Sequence, residues 1–279
     1  MVAVALALAA SGCWGVADFT GGLKSKRVPI PLVLFVVEGA GLAGVLVVIA
    51  LSGEPLPGSR AVIASLVAGV AGIGSLGLFY RALAIGTMSI VAPISASGVA
   101  LPVVVGIATG DSLSVVVSAG LAITVAGIVL ASRESPEAEP QDARARRTSV
   151  VLALLAAAGF GTYFVLSDVA SDYSVLWLLA LSRVIVVPAM AGVVLASRAR
   201  AGGSDLLTLV GAGLLDVAAT GLYGLALTKG ELSIVSVVGA LYPVSTVLLA
   251  RVVLGERLRP VQAAGVAAAF TGVALIVAG

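Results

Sequence analysis

Long apolar stretches follow one another along almost the whole chain, separated by short segments that contain charged residues, glycine or proline. Each stretch is about 20 residues long, which is the length that an α-helix needs to cross the hydrocarbon core of a bilayer. The pattern predicts ten transmembrane spans, at 2–21, 31–51, 61–83, 88–109, 114–132, 149–168, 174–196, 206–228, 233–254 and 260–278. The predicted fold class is therefore all-α and integral to a membrane.

The composition agrees with a membrane protein. Of the 279 residues, 60% are hydrophobic and only 11% are charged, whereas a soluble domain carries roughly 25% charged residues. Ten spans would use about 200 residues, which leaves no room for a soluble catalytic domain. We predict a multi-pass protein of the cell (inner or plasma) membrane that contacts the lipid bilayer.

Several kinds of chemistry are excluded by missing residues. Histidine is absent and Cys13 is the only cysteine, so the side chains that most often bind zinc, haem or iron–sulfur clusters are missing. We therefore predict no cofactor, no metal site and no catalytic residue. The chain also lacks the Gly-x-x-x-x-Gly-Lys-Ser/Thr loop of ATP-driven pumps, and its net charge of +2 gives no indication of a nucleic-acid partner.

One polar segment interrupts the series of apolar stretches. Residues 133–148 contain many charges and two prolines, without an apolar period. This pattern is typical of a flexible linker. It divides the chain into two predicted five-helix units, residues 1–132 and residues 149–279.

The two units carry the same marks in the same order. The first unit contains Trp14-Gly15, Tyr80, Ser89–Val91, Pro102, Gly110-Asp111, Leu113, Gly120 and Gly127. The second contains Phe160-Gly161, Tyr223, Ser233–Val235, Pro243, Gly255-Glu256, Leu258, Gly265 and Gly272. Five crossings are an odd number, so two such units must be inverted relative to each other. Inverted repeats are typical of alternating-access carriers, whose site lies near the bilayer midplane between the repeats.

The motifs Trp14-Gly15 and Gly255-Glu256-Arg257-Leu258, with Gly265 and Gly272 after the second, resemble EamA-type permeases of the drug/metabolite transporter superfamily. The resemblance extends over essentially the whole chain. It implies ten helices in two inverted five-helix repeats. It also implies a secondary carrier, often an exporter, of small metabolites such as amino acids or their relatives.

Basic residues predict the orientation in the membrane. Only Arg60 and Lys229 lie in the even-numbered loops between the predicted spans. The odd-numbered loops contain Lys24, Lys26, Arg27, Arg133, Arg144, Arg146, Arg147, Arg198, Arg200, Arg257 and Arg259. By the positive-inside rule the odd-numbered loops face the cytoplasm and both termini face outward. The resemblance implies the opposite orientation, because permeases of this type more often place both termini inside.

Charged residues deep inside the predicted spans are expected to face the protein interior, because a charge that faces lipid costs at least about 2.5 kcal/mol. Glu38 and Arg183 each lie about 12 Å into their spans, and the repeat relates the second span to the seventh. We predict that they approach each other. They either bind the two ends of a zwitterionic substrate or form a permanent ion pair that joins the two units.

A proton-linked step near neutral pH would need a carboxylate, because the chain has no histidine. Asp216 is the first candidate for proton coupling, since it lies deep in the eighth span while Glu38 already has a basic partner in Arg183. Glu38 is the second candidate. The alternative for Asp216 is a polar contact between helices. Asp18 lies close to the basic first loop, and we expect its side chain to reach the membrane surface.

Aromatic side chains make up only 5% of the chain. Five of them lie in spans that should meet between the units, namely Trp14, Tyr80, Tyr163, Tyr223 and Tyr242. Together with Glu38 and Arg183 they form the predicted substrate-binding set. Packing within the bundle is the alternative role.

The sequence predicts a secondary active transporter that moves a small organic metabolite, an amino acid or a related compound, by alternating access. We expect an exporter that is coupled to protons or to exchange, acting as a monomer or a homodimer. A passive channel or facilitator is the alternative, because it could use the same helices without a closed intermediate.

Overall fold

The computed structural model describes residues 1–25, 27–86, 91, 94–131, 143–242, 244–245, 248–249, 252 and 260–278. Helices account for most of this part of the chain, and no strand occurs in it. Several sequence marks lie outside the described residues, namely Ser89, Ile90, most of the 133–148 segment, Pro243 and the Gly255-Glu256-Arg257-Leu258 turn. The same holds for the basic residues Lys26, Arg133, Arg257 and Arg259.

The first unit begins with three long helices, α1 (Val2–Lys24), α2 (Ile30–Ser52) and α3 (Ser59–Ile85). A 3-10 turn at Ser97–Val99 leads into α4 (Ala100–Thr109), and α5 (Val115–Ala131) follows. The limits of α2 show how local chemistry sets a helix end. Pro31 lies in its first turn, where the backbone N–H has no helical partner. Gly53 ends the helix in the left-handed conformation, with φ of 65°.

The second unit contains α6 (Ala143–Ser171), α7 (Val175–Val184), α8 (Val186–Ser197), α9 (Gly203–Leu227), α10 (Leu232–Gly239) and α11 (Pro260–Ala278). Helix α6 begins at Ala143, so residues 143–148 of the predicted linker are helical, which corrects that part of the prediction. Helices α7 and α8 follow each other with only Ile185 between them. Among the described residues, six helices are long and apolar enough to cross a membrane, counting Val175–Ser197 as one. The all-helical membrane class is therefore confirmed, while the count of ten spans stays a prediction.

Helices of the two units pack against each other instead of forming two separate bundles. Helix α1 packs along α9, α3 packs along α6, and α5 packs along α11. Helix α2 contacts α9, and α3 contacts α7. The interior of the protein is therefore formed jointly by both units.

Two glycines allow close contacts between helix backbones of the two units. A Cβ atom at Gly69 of α3 would clash with the carbonyl group of Ser182 in α7. A Cβ atom at Gly213 of α9 would clash in the same way with the carbonyl group of Val37 in α2. Small residues let helix backbones approach closely in membranes. Each contact lies next to a charged residue of the interior, Arg183 in α7 and Glu38 in α2.

Two pairs of helix connections, each with one member from either unit, lie close together at the ends of the bundle. The connection between α1 and α2 lies near the one between α8 and α9, where Lys24 and Arg27 form ion pairs with Asp205 at 2.5 and 3.1 Å. The connection between α2 and α3 lies near the one between α6 and α7, where the Ser174 hydroxyl donates to the Glu54 carboxylate. This arrangement is expected of a chain that alternates its direction through a membrane.

Candidate functional site

A cavity of about 80 Å³ lies where α1, α2, α3, α6, α7 and α9 meet. By the same measure one water needs only about 10–15 Å³, so the space exceeds that of a single water. Side chains from both units form its wall. The charged and aromatic members of the wall are Trp14, Asp18, Glu38, Phe160, Tyr163, Phe164, Arg183, Asp216 and Tyr242.

Arg183 is the centre of a buried charge cluster at this cavity. Its Nε lies 3.0 Å from Glu38 Oε2, as an ion pair without good hydrogen-bond alignment. Its Nη2 donates to Asp216 Oδ2 at 2.6 Å, and its Nη1 donates to the carbonyl oxygen of Leu179 at 3.0 Å. Only 5% of the Arg183 side chain is exposed. One guanidinium therefore serves two carboxylates from two different helices.

The geometry agrees with one expectation for this cluster and corrects another. Glu38 and Arg183 approach each other across the two units, as the repeat predicts. The premise that Asp216 has no basic partner is wrong, because Asp216 shares Arg183 with Glu38. The sequence carries a signal for this contact. Gly213 lies one turn before Asp216, on the face of α9 that packs against α2 next to Glu38.

Asp18 lines the cavity, which corrects the expectation that its side chain reaches the membrane surface. Its Oδ1 accepts a long hydrogen bond from the Tyr80 hydroxyl, at 3.5 Å. No basic side chain among the described residues forms an ion pair with Asp18. Lys24, the basic neighbour in the sequence, pairs with Asp205 instead. Trp14 and Asp18 are one helical turn apart, so the Trp14 prediction could have indicated the same face for Asp18.

The predicted aromatic residues divide into two layers. Trp14, Tyr163 and Tyr242 line the cavity. Tyr80 and Tyr223 do not line it, although direct substrate contact is the role predicted for them. Both are almost fully buried, at 2% and 0% exposure. The Tyr80 hydroxyl reaches only Asp18 among the charged wall residues, and the Tyr223 hydroxyl lies 2.8 Å from Ser236 Oγ.

Phe160 and Phe164 also belong to the wall, although neither is in the predicted substrate-binding set. The Phe164 ring centre lies 5.9 Å from that of Trp14 and 4.9 Å from that of Tyr223. Trp14 and Tyr223 are 5.4 Å apart, so the three rings form one packed group. The i, i+4 spacing of Phe160 and Phe164 places them on one face of α6, which is the signal that could have found them.

This arrangement can hold a small organic solute with a charged end. Aromatic rings supply apolar contact, while carboxylates and one guanidinium supply orientation. Within the described part of the chain, no group of three or more His, Cys, Asp or Glu side chains is placed to bind a metal ion.

Comparisons with known proteins agree with this picture. Residues 147–278 match the model of the EamA-like transporter family. This match confirms the resemblance predicted from the sequence motifs for the second half of the chain. One protein of known crystal structure matches over 98% of this chain and 96% of its own, with a TM-score of 0.77. It is 18% identical to this chain, so the similarity shows the fold alone. No curated protein matches the chain.

Proposed function

We propose that this chain is an EamA-type transporter and a secondary carrier, which moves a small organic metabolite across the cell membrane by alternating access. The cavity carries the proposal. It lies between helices of both units and is lined by buried charges and aromatic rings. Charged residues inside membrane proteins mark substrate and ion pathways, because their burial is costly.

We further propose that residues 1–132 and 149–279 form two inverted five-helix units. The helix packing supports this arrangement. The order of the helices in the two units makes α1 the counterpart of α6, α2 that of α7, α3 that of α9, and α5 that of α11. When each helix is exchanged for its counterpart, the pair α1 with α9 becomes α6 with α3. The pair α2 with α9 becomes α7 with α3, and α5 with α11 becomes itself. A pseudo-two-fold axis in the membrane plane would produce this exchange.

The charge cluster suggests how transport is coupled. Glu38 and Asp216 share Arg183, so one guanidinium faces two negative charges. The pair of carboxylates therefore favours the uptake of one more positive charge, and we propose that a proton supplies it. Transport would then be an export driven by proton entry or an exchange. The substrate would lie beside Arg183 and Glu38, against the rings of Trp14, Tyr163 and Tyr242.

The carrier proposal is tested by counterflow in proteoliposomes. Liposomes with the purified full chain are loaded with one unlabelled compound from a panel of amino acids, nucleobases and amines. Uptake of the same labelled compound is then measured with and without a pH gradient. A carrier gives saturable uptake that internal substrate accelerates. Flux that does not saturate and that ignores internal substrate would contradict the carrier and favour a channel.

A further inference from the structure

We infer that the ligand of the central cavity is an organic ammonium ion, held by the Asp18 carboxylate among the aromatic rings. An amine without a carboxylate group should therefore bind in preference to the corresponding amino acid. The inference narrows the substrate class of the carrier function proposed above, on which it rests.

The first argument is the balance of charge in the wall. Three carboxylates, those of Asp18, Glu38 and Asp216, line the cavity, and Arg183 is the one basic residue among the described residues that line it. A buried charge is costly unless a partner of opposite sign compensates it. A cationic ligand brings such a partner into the cavity, whereas an anionic ligand adds to the excess of negative charge.

The second argument is that each nitrogen of Arg183 already faces an oxygen atom of the protein. Its Nε and Nη2 face Glu38 and Asp216. Its Nη1 contacts the carbonyl oxygen of Leu179 at 3.0 Å and the Ser182 hydroxyl at 3.4 Å. Each of the three nitrogens therefore has an oxygen partner nearby, although the contact of Nε with Glu38 is an ion pair and not a hydrogen bond. The carboxylate of an amino acid would have to displace Glu38 or Asp216 from Arg183. Otherwise it would lie next to these two acids without a basic side chain of the protein as its partner.

The third argument is the position of Asp18. Among its contacts with the described residues, the one hydrogen bond is the long one from Tyr80 to Oδ1. The Tyr80 hydroxyl is neutral and does not compensate a negative charge. An ionised Asp18 carboxylate therefore lacks a positively charged partner among the described residues. An ammonium group at this carboxylate would supply both the charge and short hydrogen bonds.

The fourth argument is the aromatic surface beside Asp18. Trp14 lies one turn earlier on α1, and the Tyr242 ring belongs to the same wall. Aromatic rings attract cations through their electron-rich faces, and tryptophan does so most strongly. The packing of Trp14 against Phe164 and Tyr223 holds this surface in place. The combination of a carboxylate with packed rings is suited to an amine that carries an apolar group.

The test compares isobutylamine with valine, which has the same apolar group and an additional carboxylate. Binding to the purified full chain in detergent is measured by isothermal titration calorimetry. We expect isobutylamine to bind about tenfold or more tightly than valine. We also expect Asp18→Asn to weaken amine binding by about tenfold or more, the effect of losing a charged hydrogen-bond partner. The exposed Asp172 provides a control, because Asp172→Asn makes the same chemical change away from the cavity.

Equal or tighter binding of valine by the unaltered protein would overturn the inference, and this comparison does not depend on a variant that folds. Unchanged amine binding by an Asp18→Asn protein with normal thermal unfolding would overturn it as well. Counterflow separates the inference from the carrier proposal. If the amine binds but neither the amine nor any other compound of the panel shows counterflow, the ammonium site stands and the carrier proposal fails. If valine shows counterflow and the amine does not bind, the carrier stands and the ammonium site fails.

Discussion

Removing Arg183 should destabilise the protein far more than removing either of the carboxylates that it contacts. Arg183→Gln leaves Glu38 and Asp216 buried without a cation, and breaking a buried pair in this way costs about 3–5 kcal/mol. Glu38→Gln leaves Arg183 paired with Asp216 at 2.6 Å, and Asp216→Asn leaves it paired with Glu38 at 3.0 Å. Each single amide variant therefore keeps one balanced pair and removes the repulsion between two neighbouring carboxylates, which offsets part of the lost charged contact. We expect a net cost of about 1 kcal/mol.

The double variant Glu38→Gln with Asp216→Asn provides the decisive comparison. It leaves Arg183 buried without any carboxylate partner, so we expect a loss of about 3–5 kcal/mol again. The two amide substitutions would then be strongly non-additive, as expected of residues in one network. The free energy of unfolding is measured for all four variants by denaturant titration in the same detergent. If the double variant loses only the sum of the two single effects, the shared-guanidinium account is wrong.

Three further predictions address coupling, packing and orientation. Asp216→Asn should abolish accumulation driven by a pH gradient and keep substrate exchange, because an amide resembles the protonated carboxylate but cannot release a proton; unchanged proton-driven uptake by the folded variant would contradict this role. Gly69→Ala should lower the free energy of unfolding by about 1–3 kcal/mol, because the added Cβ clashes with α7. Gly74→Ala is the control and should be neutral or stabilising, since a Cβ there meets no neighbour within 4 Å. Equal effects of the two substitutions on the free energy of unfolding would refute the close contact. A reporter fused to the C-terminus should be accessible from outside the cell, and cytoplasmic labelling would reverse the predicted orientation.

The limits of some helices were predictable, because the bilayer sets the length of an apolar helix and the sequence marks its ends. The start of α6 at Ala143 and the division of the predicted seventh span into α7 and α8 were not predicted. The predicted second span, 31–51, differs by one residue at each end from α2, Ile30–Ser52. The approach of Glu38 to Arg183 was predictable too, since the repeat relates their helices. These inferences depend on position along the chain and on internal similarity, which a sequence displays directly.

The contacts of the other acids were not predictable by the same reasoning. The sequence indicates Arg183 as the partner of Glu38, but it does not show that the same guanidinium, which has five N–H donors, also reaches Asp216. Asp18 was expected at the surface because Lys24 is close in sequence. In the folded chain Lys24 pairs with Asp205 of the other unit, a contact across 181 positions that local sequence does not reveal.

The contacts of Gly69 with Ser182 and of Gly213 with Val37 are points about which the packed helices could rotate. Each of these points lies beside a buried charge. Ser182 precedes Arg183, and Val37 precedes Glu38. A helix end about 12 residues from such a pivot is about 18 Å away. Rotation by about 10° would then move that end by about 3 Å, while a group beside the pivot would move by less than about 1 Å. The contacts of the guanidinium with its carboxylates would therefore persist if these helices rotated about the two glycine contacts.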